Sequence, residues 1–289
     1  MSFTHDIADY PEGIVLAVDK PYRWTSADVI RKLKYAAIRH FGKKNLKVGH
    51  AGTLDPLATG VLLVCIGNAC KRAQELQDHD KEYIARIRFG ATTPSYDLEK
   101  EVDRRFPYEH ITADAVRAAL PAFLGEQEQV APLFSAKSVD GVRAYELARK
   151  LYKAGNTAAI DAAALETLHR SRITISELEL LNFKAGDFST TPAAPLEMTT
   201  VILSEQSESN VSHASSRIHV ADTAALGLPE ATIRIACSKG TYIRAFARDL
   251  GEALGSGAHL SGLIRSRSGD FTIDKALSVE EALALLQAE

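Results

Sequence analysis

The amino-acid sequence predicts an α/β or α+β fold, and two observations lead to this prediction. Apolar or alternating runs typical of strands occur along the whole chain, and patterns typical of capped helices lie between them. These elements do not follow the strict alternation of a regular βαβ repeat. The 289 residues, 46% hydrophobic and 25% charged, suffice for a substantial core and exclude collagen-like and wholly disordered chains.

The first half of the chain alternates between the two patterns. Thr25-Ser26-Ala27-Asp28 forms a capping-box pattern that predicts the start of a helix ending near Phe41. Apolar and polar residues alternate over residues 83–89, which indicates a half-buried strand, and Thr112 is a suitable N-cap for another helix. The predicted elements are strands at residues 14–18, 61–66 and 83–89, and helices at residues 26–41, 113–124 and 143–154.

The second half ends in a mixture of helix and strand. A Ser278-x-x-Glu281 capping box predicts a C-terminal helix, and the Ala-rich residues 154–171 could form an additional short helix. Residues 204–216 contain six serines in thirteen and are expected to be a surface excursion. The other predicted elements are strands at residues 172–183, 197–203 and 231–237, a helix at residues 242–254 and a strand within residues 258–273.

The overall charge hides a local basic segment. With 34 Lys and Arg against 37 Asp and Glu, the net charge is -3, so the chain lacks the footprint of a general nucleic-acid binder. Residues 31–47 nevertheless contain no acid, and they include Lys43, Lys44 and Lys47. This basic segment is either a solvated helix face or a phosphate contact, and its residues alone do not decide between the two.

The three cysteines and the N-terminus bear on location. Cys65, Cys70 and Cys237 form no even disulfide framework and no common zinc spacing, so a reducing, cytoplasmic location is expected and a structural metal is not. Neither a signal peptide nor an 18-residue apolar run is present, and hence no membrane span is expected.

Residues 49–60, Gly-His-Ala-Gly-Thr-Leu-Asp-Pro-Leu-Ala-Thr-Gly, form a glycine-rich loop directly before an apolar strand. Pro56 keeps Asp55 extended or in a turn, with leucines on both sides. Considered alone, Asp55 could stabilise an Asx turn or act as a catalyst, and His50 could be a hydrogen-bonded loop residue or a base. The loop lacks the spacing of a phosphate-binding motif, so nucleotide triphosphate chemistry is not expected.

A second cluster lies at residues 237–251, where a buried strand turns through Gly240 into a helix. The first turn of this helix presents Tyr242 and Arg244. A basic, aromatic helix entrance suits an anionic or planar ligand, although an amphipathic helix with arginines in water would give the same pattern.

Together these segments resemble the TruB family of tRNA pseudouridine synthases over most of the chain. The motifs that carry the resemblance, in order, are Gly13 with Asp19-Lys20-Pro21 and Trp24-Thr25-Ser26, Gly49-His50 through Leu54-Asp55-Pro56-Leu57-Ala58-Thr59-Gly60, Lys81-x-Tyr83, Ser238-Lys239-Gly240-Thr241-Tyr242-Ile243-Arg244, and Gly257-Ala258-His259-Leu260 through Leu263-x-Arg265. In one departure, Tyr22-Arg23 precedes Trp24 where the family usually has a glycine, so the backbone turn is expected to differ there without touching the pocket.

The resemblance implies a cofactor-independent enzyme that isomerises uridine to pseudouridine in the T-loop of tRNA, at position 55 in tRNA convention. Asp55 would be the essential carboxylate and Arg244 its ion-pair partner. The target base must be flipped out of the loop. Other implied substrate contacts are Tyr83 and Leu263 beside the uracil, Tyr242 in the pocket wall and His50 in the vacated space.

The resemblance also implies the partners and the architecture. The partner would be tRNA, bound through its T-loop and T-stem, with Lys43, Lys44 and Lys47 as phosphate contacts and Arg143, Arg149, Lys150 and Lys153 as weaker candidates. A monomer without metal is expected. The fold would be a pseudouridine synthase-like mixed, largely antiparallel sheet flanked by helices. Residues 1–289 would form a single catalytic domain with insertions near 154–171 and 185–230 and no C-terminal PUA domain.

Two other functions fit parts of the sequence. A catalytically silent tRNA-binding or folding module of the same fold would not need the intact set of Asp55, Tyr83 and Arg244. A carboxylate-dependent hydrolase of small glycosides would need a second acid, for which Asp97 is the best candidate on sequence proximity alone, and it would leave the basic segment unexplained.

Overall fold

The computed structural model describes residues 3–135, 137–139, 142–168, 170–187 and 220–287. The strands are β1 (Ile14–Lys20), β2 (Val48–Ala51), β3 (Ala58–Ile66), β4 (Lys81–Phe89), β5 (Ala91–Thr92), β6 (Arg104–Arg105), β7 (Gly125–Gln129), β8 (Ser138–Val139), β9 (Val142–Arg143), β10 (Ser171–Lys184), β11 (Glu230–Cys237), β12 (Ala258–Ser268) and β13 (Phe271–Thr272). The α-helices are α1 (Ser26–His40), α2 (Ala73–Asp78), α3 (Ala113–Ala119), α4 (Ala144–Lys153), α5 (Ala158–Thr167), α6 (Ile243–Ala253) and α7 (Val279–Leu285).

One mixed sheet organises the molecule. Its strands run in the order β1-β3-β12-β4-β11-β10-β7, with β2 paired to β3 and β13 paired to β12. Neighbouring strands are antiparallel except for β3 and β12, which are parallel over residues 58–60 and 263–265. The predicted mixed, largely antiparallel sheet flanked by helices is therefore confirmed.

Helix α1 begins where the sequence predicts, because the capping box forms. The Thr25 hydroxyl accepts a hydrogen bond from the backbone N–H of Asp28, and the Asp28 carboxylate accepts one from the backbone N–H of Thr25. Val29 and Leu33 on the inner face of the helix are fully buried against the sheet. Together with α7, this helix covers one face of β1 and β3.

Strand β3 is buried on both faces, which explains its continuous apolar sequence. Leu62 and Val64 face the core under α1, whereas Leu63 and Cys65 face a second cluster under β2 and α2. The prediction that Cys65 and Cys237 are small buried thiols is confirmed, and Cys70 is partly buried.

Helix α6 covers the other half of the sheet. Its Phe246 and Leu250 pack against inward-facing residues of β4, β11 and β12, among them Ile87 and Ile233. Strand β12 carries a bulge at Ser261, because Leu260 pairs with Ile87 while Gly262 pairs with the next residue along, Arg86.

The remaining elements largely match the predictions. The helix expected at residues 113–124 is α3 followed by a 3₁₀ turn at Leu120–Phe123, and the Ala-rich segment contains α5. The strand predicted at residues 197–203 and the excursion predicted at residues 204–216 lie outside the described residues. Within the described part of the chain, no helix is long and apolar enough to cross a membrane.

Candidate active site

A cleft opens between the loop after β2, the start of α6 and the middle of β12. Polar and charged side chains meet apolar ones in its wall. The residues that line it are Tyr22, Asp55, Leu57, Ala58, Asp97, Leu98, Arg244, Leu260, Ser261, Gly262 and Leu263. Three of the residues singled out in the sequence, Asp55, Arg244 and Leu263, thus meet at one place.

Asp55 and Arg244 form a two-pronged ion pair in this cleft. The Arg244 Nε donates to Asp55 Oδ2 at 2.9 Å, and Nη2 donates to Oδ1 at 3.2 Å. The third guanidinium nitrogen, Nη1, donates to the backbone carbonyl of Ser95 at 3.1 Å. This fork geometry fixes the plane of the carboxylate as well as its position.

The two partners differ in exposure. The Arg244 side chain is 7% exposed, whereas 37% of the Asp55 side chain remains exposed to the cleft. Burial by itself would lower the pKa of Arg244, but the charges of Asp55, Asp97 and Glu99 outweigh burial and raise the pKa instead. Arg244 is therefore a permanent cation that holds an accessible carboxylate.

Asp97 is a second carboxylate beside the same guanidinium. Its Oδ2 lies 3.7 Å from Arg244 Nε, and its Oδ1 accepts hydrogen bonds from the Ser95 hydroxyl at 2.6 Å and the Glu99 backbone N–H at 2.9 Å. Burial raises the pKa of Asp97, and the charge of Asp55 contributes in the same direction. Burial together with the neighbouring Asp97 raises the pKa of Glu99 to about 7.

The sequence pointed to Asp97 only through its proximity to the glycine-rich loop, and it missed Glu99. The backbone between Ser95 and Asp97 shows how this loop reaches the arginine. Tyr96 is a buried, bulky residue in the left-handed region, with a φ of 57°. This costly backbone conformation turns the Ser95 carbonyl and the Asp97 side chain toward the same arginine.

The bulge at Ser261 shapes the apolar wall. In a regular strand, residues two apart face the same side, whereas here Leu260 and Leu263, three apart, both lie on the inner face of the sheet. The Ser261 hydroxyl is held by the Glu230 carboxylate at 2.5 Å. Both leucines line the cleft as a result.

Two buried cations fix the loop that carries Asp55. Arg265 donates from Nε to the Val61 carbonyl at 2.6 Å and from Nη2 to the Gly52 carbonyl at 3.1 Å. Lys20 donates to the carbonyls of Trp24 at 2.6 Å and Pro56 at 3.3 Å, and burial lowers its pKa to about 8. The sequence placed both residues in motifs but did not indicate this anchoring role.

Tyr83 and Tyr242 lie near the cleft but are not among the residues that line it. Tyr83 packs into the same two core clusters as Leu263, and burial raises the pKa of its hydroxyl. Tyr242 is the N-cap of α6. Its backbone N–H donates to the Gln129 side chain at 2.8 Å, and its ring packs against a third cluster around Leu133.

His50 and the three lysines lie away from the lining. His50 is in β2, where burial and the charge of Arg265 lower its pKa, and its buried Nδ1 has no hydrogen-bond partner in the described part of the chain. Lys43, Lys44 and Lys47 are all exposed in the loop after α1.

The departure at Tyr22-Arg23 has a different outcome from the one expected. Arg23 adopts a φ of 64°, so an arginine holds a left-handed turn that favours glycine. Tyr22 lines the cleft. The expectation that this departure would not touch the pocket was therefore wrong, because Tyr22 forms part of the cleft wall.

No group of three or more His, Cys, Asp or Glu side chains suited to holding a metal ion occurs in the residues that the structure describes. The functional groups of the cleft are the ion-paired carboxylate of Asp55, an apolar wall and the exposed ring of Tyr22.

Comparisons with known proteins show which family this chain is similar to. The model of the TruB family pseudouridylate synthase (N terminal domain) matches residues 39–191. Relatives called tRNA pseudouridine synthase B include one from Phocaeicola vulgatus, 47% identical with coverage of 94% of this chain and 92% of the relative. Another, from Bacteroides thetaiotaomicron, is 45% identical with coverage of 94% and 92%. A third, from Deinococcus radiodurans, is 36% identical with coverage of 92% and 77%.

Solved structures share the fold at low identity. A chain of a Cbf5-Nop10-Gar1 complex superposes with a TM-score of 0.56 at 22% identity, covering 96% of this chain and 55% of that one. A chain of an H/ACA RNP bound to a substrate RNA containing 2'-deoxyuridine gives a TM-score of 0.54 at 20% identity, with coverage of 98% and 57%. This chain therefore spans a little over half the length of those two chains.

Proposed function

The chain belongs to the TruB family of pseudouridylate synthases, and we propose that it is a tRNA pseudouridine synthase that acts on the uridine at position 55, in the T-loop. Asp55 is the catalytic carboxylate in this proposal. The observation that carries it is the fork of Arg244 on Asp55 at 2.9 and 3.2 Å in an apolar cleft. The names of the relatives support the reaction on tRNA, and the family resemblance supports the T-loop position.

The chemistry needs an oriented carboxylate and little else from the protein. During isomerisation the bond between C1′ and N1 breaks, the uracil rotates, and a bond between C1′ and C5 forms. The C5 proton is lost and N1 is protonated, so no co-substrate is consumed. Asp55 can act as a nucleophile or as a base in this sequence, because its carboxylate remains 37% exposed while Arg244 holds it.

The cleft suits a base that has left its stack. Leu57, Leu260 and Leu263 supply apolar contact on the wall, and Asp55 lies at the polar end. Contact of this kind recovers part of the few kcal/mol that base flipping costs. We assign the uracil-flanking role to Leu263 and Tyr83, which pack in the same clusters. Tyr242 in the adjacent wall and His50 in the vacated loop complete the assignment.

Binding of tRNA also needs contacts to its backbone. We assign this role to Lys43, Lys44 and Lys47, because all three are exposed in an acid-free segment. Double reversal of Lys43 and Lys44 to Glu should weaken tRNA binding and flatten its dependence on salt. If the double variant binds tRNA as the wild type does at every salt concentration, this segment is a solvated surface and does not contact phosphate.

The residues that line the cleft come from β3, β12, α6 and the loops beside them, so we propose that these elements act as a single catalytic domain. The decisive experiment incubates the purified protein with an unmodified tRNA transcript and maps pseudouridine by sequence position. Product in the T-loop from the wild type, and none from Asp55→Asn, is the expected result. The Asn side chain keeps the shape of Asp and removes its charge.

Two outcomes would contradict the proposal. Equal product from wild type and Asp55→Asn would remove the assigned role of Asp55. Rescue of tRNA refolding by both proteins, without pseudouridine from either, would instead favour a catalytically silent binding or folding module. Filter binding to the same transcript serves as the control that both proteins are folded and bind RNA.

A further inference from the structure

We propose that Arg86 is a phosphate-binding residue at the rim of the cleft, where it holds the RNA backbone next to the flipped uridine. This inference rests on the proposed function and adds a substrate contact to it. Arg86 lies on β4 and is paired in register with Gly262 on β12, immediately after the bulge at Ser261.

The Arg86 guanidinium lies directly over the backbone of Gly262. A Cβ placed on Gly262 would come within 2.6 Å of Arg86 Nε, 2.7 Å of Nη2 and 3.1 Å of Cζ. Only a residue without a side chain leaves room for the guanidinium here. Gly262 itself lines the cleft, so the charged group is held at the cleft's edge.

Arg86 differs from two arginines that lie on the same sheet, because both of those form ion pairs. On the same face of the sheet, Arg88 pairs with Glu230 at 2.8 Å and Arg234 pairs with Glu179 at 2.7 Å. Arg86 is exposed and has no carboxylate within ion-pair distance in the part of the chain that the structure describes. An exposed guanidinium in this state presents its planar fork to an incoming anion.

Arg86 also differs from the cations inside the cleft in the groups that it contacts. Inside the cleft, Arg244 faces the carboxyl groups of Asp55, Asp97 and Glu99. Lys20 and Arg265, the other two cations nearby, are buried and donate to backbone carbonyls. Hydrogen bonds inside the protein engage the donor groups of these three cations, whereas the exposed Arg86 guanidinium can donate to a phosphodiester at the rim.

Tyr22 adds an exposed aromatic ring to the wall of the same cleft. Burial raises the pKa of the Tyr22 hydroxyl, and the positive charges of Arg23 and Arg86 oppose this rise. The Tyr22 ring lines the cleft and is 45% exposed. An exposed aromatic ring in a cleft whose rim carries an exposed arginine is a suitable site for a nucleotide of single-stranded RNA.

The experiment compares Arg86→Ala, Arg86→Lys, Gly262→Ala and the Arg86→Ala/Gly262→Ala double variant on a tRNA transcript. The matched control is Arg117→Ala, which removes an exposed arginine from α3, away from the residues lining the cleft. The readouts are KM and kcat for pseudouridine formation, and Kd from filter binding over a range of salt.

Arg86→Ala should raise KM and Kd about tenfold and reduce the salt slope by about 0.7, the contribution of one phosphate contact on a single strand. Arg86→Lys should restore the salt slope, because it keeps the charge, but only part of the affinity, because it lacks the planar fork. Gly262→Ala should show a similar loss by displacing the guanidinium, and it should add nothing in the Arg86→Ala background.

The proposal for Arg86 is overturned if Arg86→Ala behaves like Arg117→Ala in KM, Kd and salt slope. It is also overturned if Gly262→Ala costs as much in the absence of Arg86 as in its presence, because the methyl group would then act by itself. A wild-type protein that forms no pseudouridine overturns the proposed function instead. In that case filter binding still measures the contact between Arg86 and RNA.

Discussion

Replacement of Glu99 by Gln should stabilise the protein above neutral pH and have little effect below pH 5. Burial, reinforced by Asp97, raises the pKa of Glu99 from 4.5 in the unfolded chain to about 7 in the fold. The folded protein therefore binds a proton that the unfolded chain releases, so the free energy of unfolding falls as the pH rises from 4.5 to 7. Each tenfold change in proton affinity corresponds to about 1.4 kcal/mol, which gives a total of about 3 kcal/mol.

Gln resembles the protonated side chain, so the variant should not lose this free energy as the pH rises. Urea unfolding of both proteins should show the variant more stable by about 3 kcal/mol at pH 8 and by less than about 1 kcal/mol at pH 5. Glu12→Gln, at an exposed position, is the control and should show no such pH dependence. A difference between Glu99→Gln and wild type that is the same at both pH values would refute this account of the carboxylate cluster.

Three further variants test the site and the fold. Arg244→Lys loses the fork on Asp55, so single-turnover pseudouridine formation should slow by about 100-fold while the Kd for tRNA stays unchanged; a rate within a fewfold of wild type would contradict this. Gly60→Ala should lower the free energy of unfolding in urea by at least about 3 kcal/mol, because φ is 101° and the new Cβ would lie 2.3 Å from the Arg265 carbonyl oxygen. Gly42→Ala, where the new Cβ would meet open space, is the control and should lower it by about 1 kcal/mol. Thr25→Ala removes the capping box of α1 and should cost about 1 kcal/mol in the same assay.

The distribution of charge explains how a chain of net charge -3 can bind RNA in the proposed function. The average conceals an acid-free basic segment, and most of the acids described near the cleft are engaged with Arg244. Local placement of charge governs encounter with a polyanion more than the total does. Arg86 illustrates this, because Arg88 and Arg234 on the same sheet are ion-paired, whereas Arg86 has no ion pair among the residues that the structure describes.

Local patterns in the sequence determined the secondary structure and two of the site residues. Three elements depend only on residues a few positions apart, so the sequence predicts them without knowledge of the fold. They are α1 with its capping box, β3 with its apolar run and β4 with its alternating pattern. Asp55 and Arg244 stood out in the same way, since an acid before a proline in a glycine-rich loop and an arginine at a helix entrance are local anomalies.

The tertiary structure alone decided how these parts meet. Asp97 and Glu99 share Arg244 because a left-handed Tyr96 turns their loop toward α6, and no short pattern marks that loop as part of the site. The bulge on β12 and the position of Arg86 over Gly262 depend on strand register between segments far apart in sequence. Register is a property of the paired strands, so neither strand carries it alone.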